Sequence, residues 1–171
     1  VEIAGAGVDS KEAGLAAELT CVTLRRQGTY DAIIAEAAGR DIHAIDPDVR
    51  DALRLGVHQL MSTRIASHAA VHETVALVRD AVGPGLTGFA NAVLRRISRD
   101  TPGEWLARLE ASTRSDDERL GVMTSHPVWI IRSFRRALAA EGRADELADL
   151  LRADNASPRL ALPVLPGLAE R

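Results

Sequence analysis

Apolar residues recur every three to four positions along most of this sequence, and this helical spacing constrains the fold more than any other feature. The clearest segment follows Asp46-Pro47, a helix-capping residue with proline in the first helical position. Its apolar residues lie at i, i+4, i+7, i+8 and i+11, which is one face of a helix: Val49, Leu53, Gly56, Val57 and Leu60. No segment keeps an alternating pattern of period two for long. We therefore predict an all-α fold of about eight helices.

Capping residues and prolines divide the periodic pattern into separate helices. Asp9 or Ser10 is suited to begin the first helix, and Ser67 begins another, which Gly83 ends. The segment Thr101-Pro102-Gly103-Glu104 is a capping box with proline in the first turn. Near the C-terminus repeated prolines exclude a helix, and "RLALPVL" could form an edge strand or a linker.

The composition bounds the class of protein. At 171 residues and 46% hydrophobic, the chain can bury a core, and a formal net charge of −3 gives no overall basic signal for nucleic acid. No apolar run approaches the ~20 residues of a membrane span and no signal peptide is evident, so we expect a soluble cytoplasmic protein. Cys21 is the only cysteine, which excludes a disulfide or a cysteine-based zinc site formed within this chain.

Arginine supplies all but one of the 21 basic residues, and the arginines are unevenly distributed. Residues 84–99 contain no acid, residues 126–143 contain only Glu141, and each segment carries a net charge of +3, so the rest of the chain carries −9. A third cluster, Arg25-Arg26, lies at a predicted helix C-terminus. Because the arginine fork matches phosphate oxygens, this segregation is compatible with a phosphate-binding surface. A solvated face, pairing with the chain's own acids, coding bias and the helix macrodipole are the alternatives.

Two glycine-rich stretches are similar to ligand loops but lack the surroundings that such loops need. "VEIAGAGVDS" is followed by a helix but by no parallel strand, as a dinucleotide or S-adenosylmethionine site requires, so we interpret it as a flexible N-terminal segment. "GPGLTG" lies between two helices and lacks the Gly-Lys-Ser/Thr of a P-loop. We interpret it as a corner in which Gly83 ends one helix, Thr87 caps the next and Gly88 allows close helix approach.

His68 and His72 lie four residues apart on one face of a predicted helix, a spacing that metal ions accept. No third ligand accompanies them, so we do not favour a metal site, and a hydrogen-bonding role in the first turn is sufficient for His68. A Ser/His/Asp or Cys/His catalytic set stays open as an alternative. The sequence nevertheless contains no nucleophile elbow and no paired-cysteine motif.

The segment from Asp48 to Asp100 resembles the NusB-like domain, which occurs in NusB antitermination factors and at the N-terminus of RsmB (Sun)-type ribosomal RNA cytosine-C5 methyltransferases. The resemblance covers about residues 15–100 and implies an all-α bundle that binds RNA. Three groups of residues carry it: Leu53-Arg54-Leu55-Gly56 with Gln59-Leu60, Ala69-Ala70-Val71 with Glu73-Thr74-Val75, and Gly88-Phe89 with Asn91-Ala92-Val93-Leu94-Arg95-Arg96.

The C-terminal part resembles the methyltransferase branch. Ser125-His126-Pro127-x-Trp129, a helix ending at Glu141-Gly142 and "LLRADNASP" are similar to the extension that joins the NusB-like domain to the catalytic domain. We therefore expect a NusB-like RNA-binding domain over residues 1–111, with a truncated or divergent N-terminus. Residues 112–171 are then a helical extension with a short non-helical linker. "RLALPVLPG" departs from the Leu-Arg-Val-Asn strand typical of the family.

The resemblance also implies that the chemistry lies outside this chain. In the methyltransferases a Rossmann-like domain binds S-adenosylmethionine, and two cysteines act on the cytosine ring. Cys21 matches neither cysteine, so we expect no catalytic residue, cofactor site or metal site here. The expected partners are 16S rRNA or the small ribosomal subunit, and the chain's own C-terminal methyltransferase domain, with no membrane and no DNA.

The leading hypothesis is therefore the RNA-binding domain of an S-adenosylmethionine-dependent 16S rRNA 5-methylcytosine methyltransferase, which docks that enzyme on rRNA. Two alternatives stay open. One is a NusB-type transcription antitermination factor that binds RNA with a ribosomal protein, and the other is a protein-interaction domain without direct RNA contact. The predicted RNA contacts, in order of preference, are Arg95, Arg96 and Arg99, then Arg132, Arg135 and Arg136, then Arg25 and Arg26.

Overall fold

The computed structural model describes residues 9–156, with Ser10 and Lys11 described in their backbone only. This part of the chain contains helices and no strand, which confirms the all-α prediction and adds one α-helix to the eight expected. The α-helices are α1 (Ser10–Arg25), α2 (Gln27–Ala38), α3 (Pro47–Ser62), α4 (Ser67–Ala81), α5 (Thr87–Ile97), α6 (Pro102–Ser112), α7 (Asp116–Thr124), α8 (Val128–Ala140) and α9 (Leu147–Asp154). Short 3₁₀ turns occupy Ile42–Ala44, Pro84–Leu86 and Ala144–Glu146.

The helix boundaries follow the capping signals of the sequence. Asp46 Oδ1 accepts hydrogen bonds from the N–H groups of Asp48 at 3.0 Å and Val49 at 3.2 Å. Thr101 and Glu104 form both halves of the predicted capping box at the start of α6. Each such cap satisfies N–H groups that the first helical turn leaves unpaired, and contributes about 1 kcal/mol to stability.

The main hydrophobic core lies among α2, α3, α4, α5 and α6. Trp105 of α6 is fully buried there, and its Nε1 donates a hydrogen bond of 2.9 Å to the carbonyl of Ile97. That bond satisfies the indole N–H, which would otherwise be an unpaired polar group in an apolar interior. This bond joins α6 to the last residue of α5, next to the arginines at the end of that helix.

Gly56 is the glycine that allows helices to approach closely. A Cβ added there would lie 2.7 Å from Thr74 Oγ1 of α4 and 2.9 Å from Leu94 Cδ2 of α5. The prediction that Gly88 has this role is wrong, because a Cβ at Gly88 would meet nothing within 4 Å. Helices α3, α4 and α5 therefore converge at Gly56, and Gly88 lies on the open side of α5.

The "GPGLTG" corner differs in one detail from its prediction. Gly83 ends α4 with a positive φ of 114°, as a terminating glycine should. The 3₁₀ turn Pro84–Leu86 then runs directly into α5, and the Thr87 hydroxyl donates backwards to the Pro84 carbonyl at 2.7 Å. The prediction that Thr87 caps α5 is therefore wrong, since the turn leaves no separate cap position.

A second, smaller cluster of buried residues joins α7, α8 and α9, and consists of Leu120, Ile131, Leu147 and Leu151. Helix α7 also packs against α2 and α6, so the C-terminal helices are attached to the main core. The stretches "VEIAGAGV" and "RLALPVLPGLAER", including the predicted N-terminal loop and linker, lie outside the described residues.

Candidate nucleic-acid interface

The basic cluster of α5 consists of Arg95, Arg96 and Arg99, at and just beyond the C-terminal end of the helix. Helix α5 turns a buried face of Ala90, Val93, Leu94 and Ile97 toward the core, and this leaves all three arginines exposed. No carboxylate among the described residues forms an ion pair with any of them. Their charges are therefore available to an external anion. Within the chain, these charges interact favourably with the negative end of the α5 dipole.

Asp100 directly follows Arg99 in the sequence, but its carboxylate is already paired with another arginine. Its Oδ2 lies 2.7 Å from Nη2 of Arg108, and Arg108 also approaches Glu36 at 3.6 Å. The hydrogen bond from Arg108 to Asp100 is the main reason that the Arg108 pKa is raised. Arg99 thus stands beside a carboxylate whose charge is balanced by another arginine.

Arg95 is oriented by its own helix. Its Nε donates a hydrogen bond of 3.1 Å to Asn91 Oδ1, one helical turn earlier. Both side chains line a groove of about 390 Å³ between α5 and α4, and Ser98 lines it from the same side. The opposite wall consists of Ser67, His68, Val71, His72 and Val75 of α4. We call this the α4–α5 groove.

A second groove, of about 250 Å³, adjoins the first and shares Ser67 and Ser98 with it. Arg99 lines this second groove together with Asp100 and the start of α6. Arg95 and Arg99 therefore line two adjoining grooves at the N-terminal end of α4. Guanidinium groups in this arrangement match successive phosphate groups of a nucleic-acid backbone.

The arginines of α8 are mostly engaged within the protein. Arg135 Nη2 lies 2.7 Å from Asp117 Oδ1 and 2.9 Å from Asp116 Oδ2, and Arg132 Nε lies 3.2 Å from Asp117 Oδ2. The hydrogen bond from Arg135 is the main reason that the Asp117 pKa is lowered. Arg136 differs, since its one described bond goes to Ser133 Oγ at 3.3 Å. Of these three arginines, Arg136 is the one whose charge is not paired with a described carboxylate.

Arg25 and Arg26 lie at the corner between α1 and α2. Arg26 is the N-cap residue of α2, is exposed, and forms no ion pair with a described carboxylate. Burial is the main cause of the lowered pKa of His58, and the positive charge of Arg26 lowers that pKa further. Arg25 ends α1 and is half-buried, with its charge at the helix C-terminus.

The structure thus distributes the predicted arginines over separate regions. Helix α5 packs against α2, α3 and α4, whereas α8 packs against α7 and α9. The predicted contacts did not include the polar residues Ser67, Asn91 and Ser98, which line the groove together with Arg95. For Asn91 a signal was present in the sequence, because residues four positions apart on a helix, such as Asn91 and Arg95, are neighbours on its surface.

Neither a metal site nor a membrane span is found in the described part of the chain. His68 and His72 both face the α4–α5 groove, but no group of three or more histidine, cysteine, aspartate or glutamate residues there could hold a metal ion. No described helix is long and apolar enough to cross a membrane. Cys21 is exposed on α1 as a free thiol.

The chain belongs to the NusB family, whose model matches residues 2–99. A Mycobacterium tuberculosis protein named "Putative methyltransferase" is 36% identical over 167 residues, which cover 97% of this chain and 36% of that protein. Ribosomal RNA small subunit methyltransferase B of Pseudomonas putida is 33% identical over 157 residues, covering 92% of this chain and 33% of that enzyme. The enzyme of the same name from Vibrio cholerae is 30% identical over 155 residues, covering 90% and 32%. The chain thus spans about a third of the length of these relatives.

Proposed function

We propose that this chain is the RNA-binding domain of an S-adenosylmethionine-dependent 16S rRNA (cytosine-C5) methyltransferase, and that it docks the enzyme on ribosomal RNA. Membership of the NusB family and the similarity to small subunit methyltransferase B support this function. The observation that carries it is the exposure of Arg95, Arg96 and Arg99 without an ion-pair partner among the described carboxylates. In this account the cofactor and the catalytic cysteines belong to a catalytic domain in the rest of the enzyme.

We rank the predicted contacts by their exposure and by whether they form an ion pair with a described carboxylate. Arg95, Arg96 and Arg99 come first, because all three are exposed without such a pair and Arg95 and Arg99 line the adjoining grooves beside α4. Arg136 and Arg26 come next as exposed arginines without a described ion pair. Arg25, Arg132 and Arg135 come last, and for the latter two the reason is their pairing with Asp116 and Asp117.

Equilibrium binding to a small 16S rRNA fragment, measured across a salt series, tests the proposal. Each phosphate contact that is lost reduces the magnitude of the slope of log K against log salt concentration by about 0.7 for a single strand and about 0.9 for B-form duplex. We expect Arg95→Ala/Arg96→Ala to weaken binding and to reduce this slope by about two. Affinity that neither falls with salt nor responds to this double variant would contradict the proposal.

Arg143→Ala/Arg152→Ala is the matched control, because it removes the same charge from the C-terminal helices. Arg143 is paired with Glu141 and Glu146, and Arg152 is paired with Asp149. The control variant should bind the RNA almost as well as the unmodified chain. An equal loss in both double variants would show that only net charge matters, without a defined interface on α5.

Two other functions remain testable. An antitermination factor would bind RNA together with a ribosomal protein, and its reading frame would not continue into a glycine-rich cofactor loop and a Pro-Cys motif. A protein-interaction domain would show no RNA binding at any salt concentration, while the catalytic domain alone would methylate its substrate normally.

A further inference from the structure

We propose that the α4–α5 groove is a subsite for a single RNA phosphodiester group, with Arg95 on one wall and the pair His68 and His72 on the other. This inference rests on the proposed RNA-binding function and specifies where one phosphate sits and how its affinity is controlled. The groove of about 390 Å³ carries polar side chains on both walls, and no carboxylate lines it.

Arg95 supplies the permanent charge of the subsite. Its Nε is held by Asn91 Oδ1 at 3.1 Å, so the guanidinium is positioned before any ligand arrives, while its two terminal amino groups have no hydrogen-bond partner among the described residues. A guanidinium in this state can donate two parallel hydrogen bonds to a phosphate. Asn91 is therefore a positioning residue, which acts on the phosphate through Arg95.

His68 and His72 form the wall opposite Arg95. They lie one turn apart on α4 and both line the groove that Arg95 lines from α5. Histidine is the side chain that ordinarily changes its charge between pH 5 and 8. Protonation of the two rings adds positive charge and two further N–H donors on the wall opposite Arg95.

The charged groups around the groove do not oppose this change. Arg95 is the one charged side chain that α5 places in it, and the groove that adjoins it adds Arg99 and Asp100, of which Asp100 is paired with Arg108. Helix α3 contributes only Leu60 and Met61 to that adjoining groove. On α4 itself, Glu73, Arg79 and Asp80 are exposed, and none of them lines the α4–α5 groove.

The test compares RNA affinity at two pH values in the full 171-residue chain. With the 16S rRNA fragment as the probe, the unmodified chain should bind about tenfold more tightly at pH 5.5 than at pH 8. His68→Gln/His72→Gln should bind like the unmodified chain at pH 8 and lose most of the gain at pH 5.5. His43→Gln, which changes an exposed histidine in the 3₁₀ turn before α3, should keep the full gain.

The results separate this inference from the proposed function. Salt-dependent binding that requires Arg95 but is equal at the two pH values would overturn the subsite and leave the RNA-binding function standing. A pH effect that survives in the double histidine variant would also overturn it. Absence of RNA binding at both pH values would overturn the function and the subsite together.

Asn91→Ala gives a second readout. It removes the group that holds Arg95, so binding at pH 8 should weaken about two- to fivefold, while the gain on acidification persists because both histidines remain. Unchanged binding at pH 8 in Asn91→Ala would show that Arg95 does not act from this groove.

Discussion

Thr29 at the start of α2 and Ser125 at the end of α7 are hydrogen-bonded to each other, although 96 positions separate them in the sequence. The Thr29 N–H donates to Ser125 Oγ at 3.1 Å, the two hydroxyl oxygens lie 2.6 Å apart, and Thr29 Oγ1 also donates to the Val122 carbonyl. Ser125 adopts the left-handed conformation with φ of 58°. This turn attaches the C-terminal helices to the helices of the family-matched segment.

Thr29→Val should weaken that attachment. The variant keeps the shape of the side chain but loses the hydroxyl, so the Val122 carbonyl loses its donor and Ser125 Oγ keeps only the bond from the backbone N–H of residue 29. We expect the free energy of unfolding to fall by about 1–3 kcal/mol, measured by urea denaturation. Thr87→Val is the control, since its hydroxyl bonds only to Pro84 three residues away. Equal midpoints for the two variants would contradict the assigned role of Thr29.

Gly56→Ala and Gly88→Ala should change stability in opposite directions. The new methyl at position 56 would lie within 2.9 Å of Thr74 and Leu94, and overpacking of this kind costs about 1–3 kcal/mol. The methyl at position 88 would meet no atom within 4 Å, so alanine should stabilise α5 by about 0.5–1 kcal/mol. Thermal denaturation measures both, and a stable Gly56→Ala variant would refute the close packing at this point.

Stability should decline on mild acidification because of His58. Burial is the main cause of its lowered pKa, and its Nδ1 lies 2.9 Å from the Tyr30 hydroxyl in the core. The folded state favours the neutral ring, so the unfolded chain takes up the proton first as the pH falls. The free energy of unfolding should therefore decrease below about pH 6.5, the ordinary histidine value. A His58→Phe variant should show a smaller decrease between pH 7 and 5, and an identical decrease would contradict this assignment.

Arg135 and Arg95 should have separable effects. Arg135 is bound to Asp116 and Asp117, so Arg135→Ala should lower the free energy of unfolding by about 0.5–1 kcal/mol, a modest figure because the pair is partly exposed. It should change RNA affinity little. Arg95→Ala should weaken RNA binding with almost no change in stability, because Arg95 bonds only to Asn91 in the described structure. Reversal of this pattern would locate the interface on α8.

The sequence predicted those features of the fold that depend on residues close to one another along the chain. Apolar spacing and local caps such as Asp46 and Thr101 located the helices, because those signals act within one or two turns. It could not distinguish Gly56 from Gly88, since close packing depends on which helices meet. It also could not show that Arg135 is paired while Arg95 is not, because the acids concerned are 18 and 19 positions from Arg135.

The same limit applies to the candidate interface. Segregated charge pointed to α5, but the groove beside Arg95 is formed by residues of α4 that lie 20 or more positions earlier in the chain. His68 and His72 drew attention in the sequence as a metal-ligand pair. Their place opposite Arg95 became visible only when α4 and α5 were packed together.

The most direct measurement of the central claim is an NMR titration of the arginine Nε–Hε signals with the 16S rRNA fragment. The account predicts that the signals of Arg95 and Arg99 shift on binding. The signal of Arg54, which is buried and donates from Nε to Asp31 at 2.7 Å, should stay in place as an internal control. Unchanged Arg95 and Arg99 signals, with shifts at Arg132 or Arg135 instead, would contradict an RNA interface at the end of α5.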